Sequence, residues 1–112
     1  MSESPAFTRT HDLVLWLMQA TRKFPREQRF VLARRVQEQG FALQDALTAA
    51  SLDKRNEARH LIQADMALAG LRKSLLLCYQ MDLISAGQYQ HVSKMDEEVG
   101  RILGGWKRQA GV

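Results

Sequence analysis

The sequence has almost no cysteine, and that scarcity sets its first limit. Cys78 stands alone among 112 residues, so no disulfide can close within the chain. A reducing, cytoplasmic setting fits this usage. Its neighbours Leu75, Leu76, Leu77 and Tyr79 mark it as a core thiol rather than a reactive one. Proline is nearly as rare, at 2 residues, and glycine stops at 7, which excludes collagen-like and low-complexity classes. No apolar run approaches the roughly 18 residues of a membrane span. The segment Met1–Pro5 carries neither the basic nor the apolar stretch of a secretory signal, so none is expected. Nucleotide-binding glycine loops, a nucleophile elbow and a C-x-x-C pair are all missing. Nothing places a nucleophile beside a base and an orienting group, and an enzyme is not expected. Sustained period-two alternation is absent too, which argues against a sheet.

What is present is helical periodicity at globular composition, with 46% hydrophobic and 25% charged residues. One domain is expected over residues 8–108, between flexible ends at 1–7 and 109–112. The first helix is predicted over 10–23, capped by Thr8 or Thr10, with Leu13, Trp16, Leu17 and Ala20 as its apolar stripe. Phe24-Pro25 ends it, and Pro25 suits the first turn of a second helix reaching Ala50. That helix carries Phe30, Ala33, Val36, Gly40, Leu43 and Leu47 at core spacing. Gly40 costs roughly 1 kcal/mol against Ala in mid-helix, which a close helix crossing explains better than a hinge. Asp53 is a good cap for a third helix over 54–81, whose Leu61, Ala64, Leu68, Leu71, Leu75 and Cys78 form a heptad seam. Ser85 and Gln88 spell a capping box that opens the fourth. Its stripe is Tyr89, Val92, Val99, Leu103 and Trp106, and Gly104-Gly105 is expected to weaken or end it. Connections this short force antiparallel neighbours, giving an all-α, up-down-up-down four-helix bundle.

Two acids fall near these stripes. Asp65 and Asp96 either point outward or need a cationic partner, for which Arg35 and Arg101 are candidates. A bundle can hold a di-iron site built from two Glu-x-x-His pairs. Here there is one, Glu57 and His60; Gln88 and His91 offer a neutral amide where a hard metal prefers a carboxylate. No metal or other cofactor is expected.

The charge is localised. Between residues 22 and 35 lie Arg22, Lys23, Arg26, Arg29, Arg34 and Arg35 against Glu27 alone, so this window holds the whole of the chain's +4 excess. A clustered excess is the electrostatic footprint that a polyanion requires, although a basic stretch is also often a solvated helix face. Because Phe24-Pro25 is the whole connection, Arg22, Lys23, Arg26 and Arg29 are expected to converge at one corner. Beyond the stripes, Val14, Met18, Leu76 and Leu77 are surplus apolar residues, and a small core gains from burying them between copies.

Several segments carry a family resemblance. His11-Asp-Leu-Val-Leu-Trp-Leu17 followed by Lys23-Phe-Pro-Arg-Glu-Gln-Arg-Phe-Val-Leu32 resembles the opening of Avd-like four-helix-bundle proteins. Leu83-Ile-Ser-Ala-Gly-Gln-Tyr89 and Val99-Gly-Arg-Ile-Leu-Gly-Gly-Trp106 extend the likeness to about residues 8–107. Avd is the accessory variability determinant of diversity-generating retroelements, and is similar to proteins encoded in intervening sequences of ribosomal RNA genes. The resemblance implies a homopentameric barrel with no known catalytic centre. It also implies binding to RNA or DNA and partnership with the retroelement's reverse transcriptase in mutagenic cDNA synthesis. An intervening-sequence-type scaffold, working by protein contacts without nucleic acid, is the alternative. Under the first reading Arg22, Lys23, Arg26, Arg29, Arg34 and Arg35 contact phosphates, with Arg72 and Lys73 as weaker candidates.

Overall fold

Four helices make up the computed structural model, which describes residues 4–112. They are α1 (Pro5–Thr21), α2 (Leu32–Leu52), α3 (Glu57–Gln80) and α4 (Ala86–Gln109). Short 3-10 turns at Arg26–Gln28 and Lys54–Asn56 precede α2 and α3. Among the described residues there is no strand.

The side-chain pairings fix an antiparallel ring of helices. Along α1 and α2, Gly40 lies beside Leu17, and Gln37 bonds Thr21. Along α3 and α4, Arg72 meets Asp96, Asp65 meets Lys107 and Glu57 meets Trp106. Phe7 packs edge-on against Trp106, and Trp16 lies near His91, which closes α1 onto α4. From Leu17 to Thr21 the partner number falls from 40 to 37, from Asp65 to Arg72 it falls from 107 to 96, and from Phe7 to Trp16 it falls from 106 to 91, the mark of up-down-up-down order.

The heptad seam of α3 is buried throughout, from Leu61 to Cys78, with no member more than 2% exposed. Ala33, Val36, Gly40, Leu43 and Leu47 of α2 face it, with Leu13 and Leu17 of α1 and Val92, Val99 and Leu103 of α4. The capping box of α4 forms as expected: Ser85 Oγ accepts from the Gln88 N–H, and Gln88 Oε1 accepts from the Ser85 N–H at 2.7 Å.

Several expectations are corrected. α1 starts at Pro5 rather than near Thr10, because Ser4 Oγ caps the Ala6 N–H and Pro5 suits the first turn. Thr10 is buried in mid-helix, and Ala6 joins the core. The first three residues of the expected N-terminal tail lie outside the described residues. The second helix is not continuous from Pro25. Val31, at φ −116° and ψ −94°, breaks it, and Phe30 is 76% exposed instead of buried. The 3-10 turn carries the chain around the bundle end, so that Leu32 and Ala33 enter the core in its place. Asp53 precedes a 3-10 turn and makes no cap bond to the backbone.

Gly104 and Gly105 lie inside α4, because Leu103 and Trp106 on either side pack against the core and outweigh the glycine cost. The helix ends at Gln109, and Gly111 just beyond its cap lies in the left-handed region at φ 75°. There the Val112 N–H donates to the Lys107 carbonyl and the Gly111 N–H to that of Arg108, a Schellman closure. α3 ends the same way with Asp82 at φ 60°: Leu83 N–H to Cys78 O, and Asp82 N–H to Tyr79 O.

Neither Arg35 nor Arg101 partners the two acids, because the register of α3 against α4 sets other cations opposite them. Asp96, 5% exposed, accepts from Arg72 Nε at 3.0 Å, and Arg72 Nη2 donates to the Asp96 carbonyl at 3.1 Å. The half-buried Asp65 pairs with Lys107, while Arg101 pairs with Glu98 on its own helix. Val14 belongs to the core, whereas Met18, Leu76 and Leu77 remain exposed.

Candidate nucleic-acid interface

The basic window folds into one end of the bundle because the chain there must reverse within a few residues. α1 stops at Thr21, whose buried hydroxyl donates to the Leu17 carbonyl at 2.7 Å and accepts from Gln37 Nε2 at 2.9 Å. This link ties the last turn of α1 to the second turn of α2. Phe24, 8% exposed, plugs the end of the core below it. With Phe24 turned inward, the charged residues on either side turn out: Arg22, Lys23, Arg26, Arg29, Arg34 and Arg35 are all exposed.

Three of them are brought together. Arg22, Arg29 and Arg34 line one groove of about 500 Å³, floored by Thr21, Phe24, Ala33 and Gln37 and walled by Phe30. Arg35 lies on the far side of Phe30, where it shares a second concavity of about 520 Å³ with Val31, Arg34 and Glu38. Lys23 and Arg26 are exposed in the same segment but line neither concavity. Of the four residues expected at one corner, Arg22 and Arg29 line the groove, together with Arg34.

Among the described residues, the one carboxylate paired with these six cations is Glu38, whose Oε1 lies 2.9 Å from Arg34 Nε. Both side chains are well exposed, so the pair contributes little and exchanges readily for another anion. The weaker candidates lie elsewhere, on α3. Arg72 is committed to Asp96, and Lys73 is exposed beside it. Neither lines the groove.

At the opposite end of the bundle, several charges are paired. Glu57 Oε2 accepts from Trp106 Nε1 and Lys54 Nζ, each at 2.9 Å, and these bonds hold its carboxyl below the usual range. His60 Nε2 lies 2.9 Å from Asp53 Oδ2, and with Asn56 it lowers the Asp53 carboxyl. Glu57 and His60 therefore serve separate contacts, and among the described residues no cluster of three His, Cys, Asp or Glu could hold a metal. No helix among them is long and apolar enough to cross a membrane.

The sequence pattern set Phe30 in the core stripe, whereas in the fold it is exposed and lines the groove, while Leu32 and Ala33 carry the stripe.

These features define a class, an all-helical four-helix bundle with a cluster of exposed cations at one end. Within that class, the chain belongs to the bAvd-like family, whose sequence model matches residues 6–110. No curated protein matches it.

Proposed function

We propose that this protein is a nonenzymatic accessory subunit of a diversity-generating retroelement, binding RNA or DNA through the Arg22–Arg35 end of the bundle. In this role it associates with the reverse transcriptase and supports mutagenic cDNA synthesis. The observation that carries the reading is the state of the cations. Five of the six have no carboxylate partner among the described residues, and three face one groove. Arginine side chains held apart from carboxylates at a helix turn are free to take phosphate oxygens. Family membership supplies the retroelement context.

The protein acts as a homopentamer, which would repeat the cationic end five times and multiply weak phosphate contacts by avidity. Exposed Ile62, Met66, Leu76 and Leu77 on α3, with Leu15 and Met18 on α1, supply apolar surface for such packing. The same surface favours the alternative, an intervening-sequence-type scaffold that works by protein contacts alone.

Replacing Arg22, Lys23, Arg26 and Arg29 together by Gln separates the two. Helix propensity changes little, since Arg, Lys and Gln rank together. Binding to RNA and DNA oligonucleotides should weaken at least about ten-fold at low salt. The log–log salt dependence should flatten by about one unit for each lost phosphate contact. Light scattering should show an unchanged oligomer. Wild-type affinity in an intact oligomer would refute this surface as the site, and no affinity in the wild-type protein would favour the scaffold.

A further inference from the structure

We propose that the groove beside Phe30 is a subsite for an unpaired nucleotide, with Phe30 stacking on the base while Arg22, Arg29 and Arg34 hold its flanking phosphates. The proposal rests on the nucleic-acid reading above and adds to it a preference for single strands over duplex.

A phenylalanine of a small bundle normally gains stability by joining the core, yet this one is 76% exposed while Phe24, six residues earlier in the sequence, is buried. One exposed apolar residue needs no explanation by itself. Its surroundings do: the ring stands between the groove that holds Arg22, Arg29 and Arg34 and the concavity that holds Arg35. An aromatic face bracketed by guanidinium groups is the combination that single-stranded nucleic acid uses, base on the ring and backbone on the cations.

The backbone presents this ring on a fixed corner. The Val31 N–H donates to the Gln28 carbonyl at 3.3 Å, and the Arg35 N–H donates to the Val31 carbonyl at 2.9 Å. Phe30 is thereby pinned between the 3-10 turn and the start of α2. A duplex offers its phosphates but keeps its base faces stacked, so it can use the arginines and not the ring. An unpaired nucleotide can use both. The groove, at about 500 Å³, is large enough for a small ligand such as a nucleotide. Arg34 can exchange its exposed Glu38 partner for phosphate at little cost.

Other occupants would also favour an aromatic among cations. An anionic membrane surface takes such residues on the face of an amphipathic helix. Phe30 instead sits at a helix break, so that its one adjacent apolar neighbour is Val31. A second copy presenting the same end of its bundle would be repelled here, because the groove carries one sign of charge.

The test compares Phe30→Ala and Phe30→Trp with the wild type, using a labelled single-stranded DNA, the matching RNA, and a duplex of equal length at one salt concentration. Phe30→Ala should lose about ten-fold or more in single-strand affinity while keeping duplex affinity and salt slope. Phe30→Trp should keep single-strand affinity. Its added fluorescence, after subtraction of the Trp16 and Trp106 signal measured in the wild type, should be quenched by single strand and not by duplex. Unchanged single-strand binding by Phe30→Ala would overturn the proposal. So would equal losses on both substrates, or dissociation of the oligomer. A loss of binding to vesicles of anionic lipid, with oligonucleotide binding intact, would assign Phe30 to a membrane instead. If the wild type binds neither nucleic acid, the broader reading has failed; if it binds both and Phe30→Ala behaves alike, this inference alone has failed.

Discussion

Arg72 should be the most consequential charged residue for stability, although it lies outside the binding groove. Its guanidinium makes two bonds to Asp96, one to the carboxylate at 3.0 Å and one to the backbone carbonyl at 3.1 Å. The Asp96 side chain is 7% exposed, and burial pushes its carboxyl above the usual range in spite of the bond from Arg72. Substituting Met keeps the unbranched stem and the helix propensity of residue 72 but removes the cation. Asp96 then stays buried without a partner. Breaking a fully buried pair costs about 3–5 kcal/mol, and Arg72 is itself 45% exposed, so water can reach the site and about 2–3 kcal/mol is expected. For a chain of 112 residues that is a fall of about 10 °C in Tm. Adding Asp96→Leu to Arg72→Met should restore most of the loss, because the unpaired charge is gone.

The pH dependence follows from the sign of the shift. A carboxyl raised above its unfolded value costs stability when ionised, and that cost disappears as pH falls through the folded-state pKa toward the unfolded one. Removing Arg72 raises the carboxyl further, so the deficit of Arg72→Met should shrink on acidification. Circular dichroism melts at fixed protomer concentration measure both effects. A variant melting within about 2 °C of wild type at neutral pH, or a deficit that grows on acidification, would refute the reasoning.

Two further predictions concern the backbone and the thiol. Gly40→Ala should destabilise by about 1 kcal/mol despite better propensity, because the new methyl would lie 2.9 Å from Leu17 Cδ1 in the closed core. Gly105→Ala should stabilise by up to about 1 kcal/mol, since its methyl meets only the Arg108 guanidinium at 3.7 Å. Urea unfolding of both variants would check the opposite signs. Cys78 is fully buried and its thiol is pushed up to about 11 by burial, so a thiol–disulfide reagent should fail to label the native protein at mildly alkaline pH. One equivalent per chain should react in denaturant; rapid native labelling would show that the α3 seam opens.

The sequence by itself determined the helical class, the α3 seam and the capping box that opens α4. Each rests on interactions within a few residues: Leu61 to Cys78 repeat at three and four, and Ser85 reaches Gln88 along the same turn. It also located the cationic window, because charge is additive and needs no fold to be counted. Only the tertiary structure decided how that window is shaped. Periodicity alone extended α2 back to Pro25 and buried Phe30. In the fold, the short 3-10 turn rounds the corner, Phe24 fills the end of the core, and Phe30 is left outside among Arg29, Arg34 and Arg35. The partners of Asp96 and Asp65 were equally hidden, since which cation meets a buried carboxylate depends on the register of α3 against α4. Gly100 shows the same dependence: a Cβ there would lie 2.5 Å from Arg72 Nη2, so its lack of a side chain makes room for the arginine that neutralises Asp96. Local rules fix what a segment forms, while contacts between segments distant in sequence fix which side chains are left free to bind.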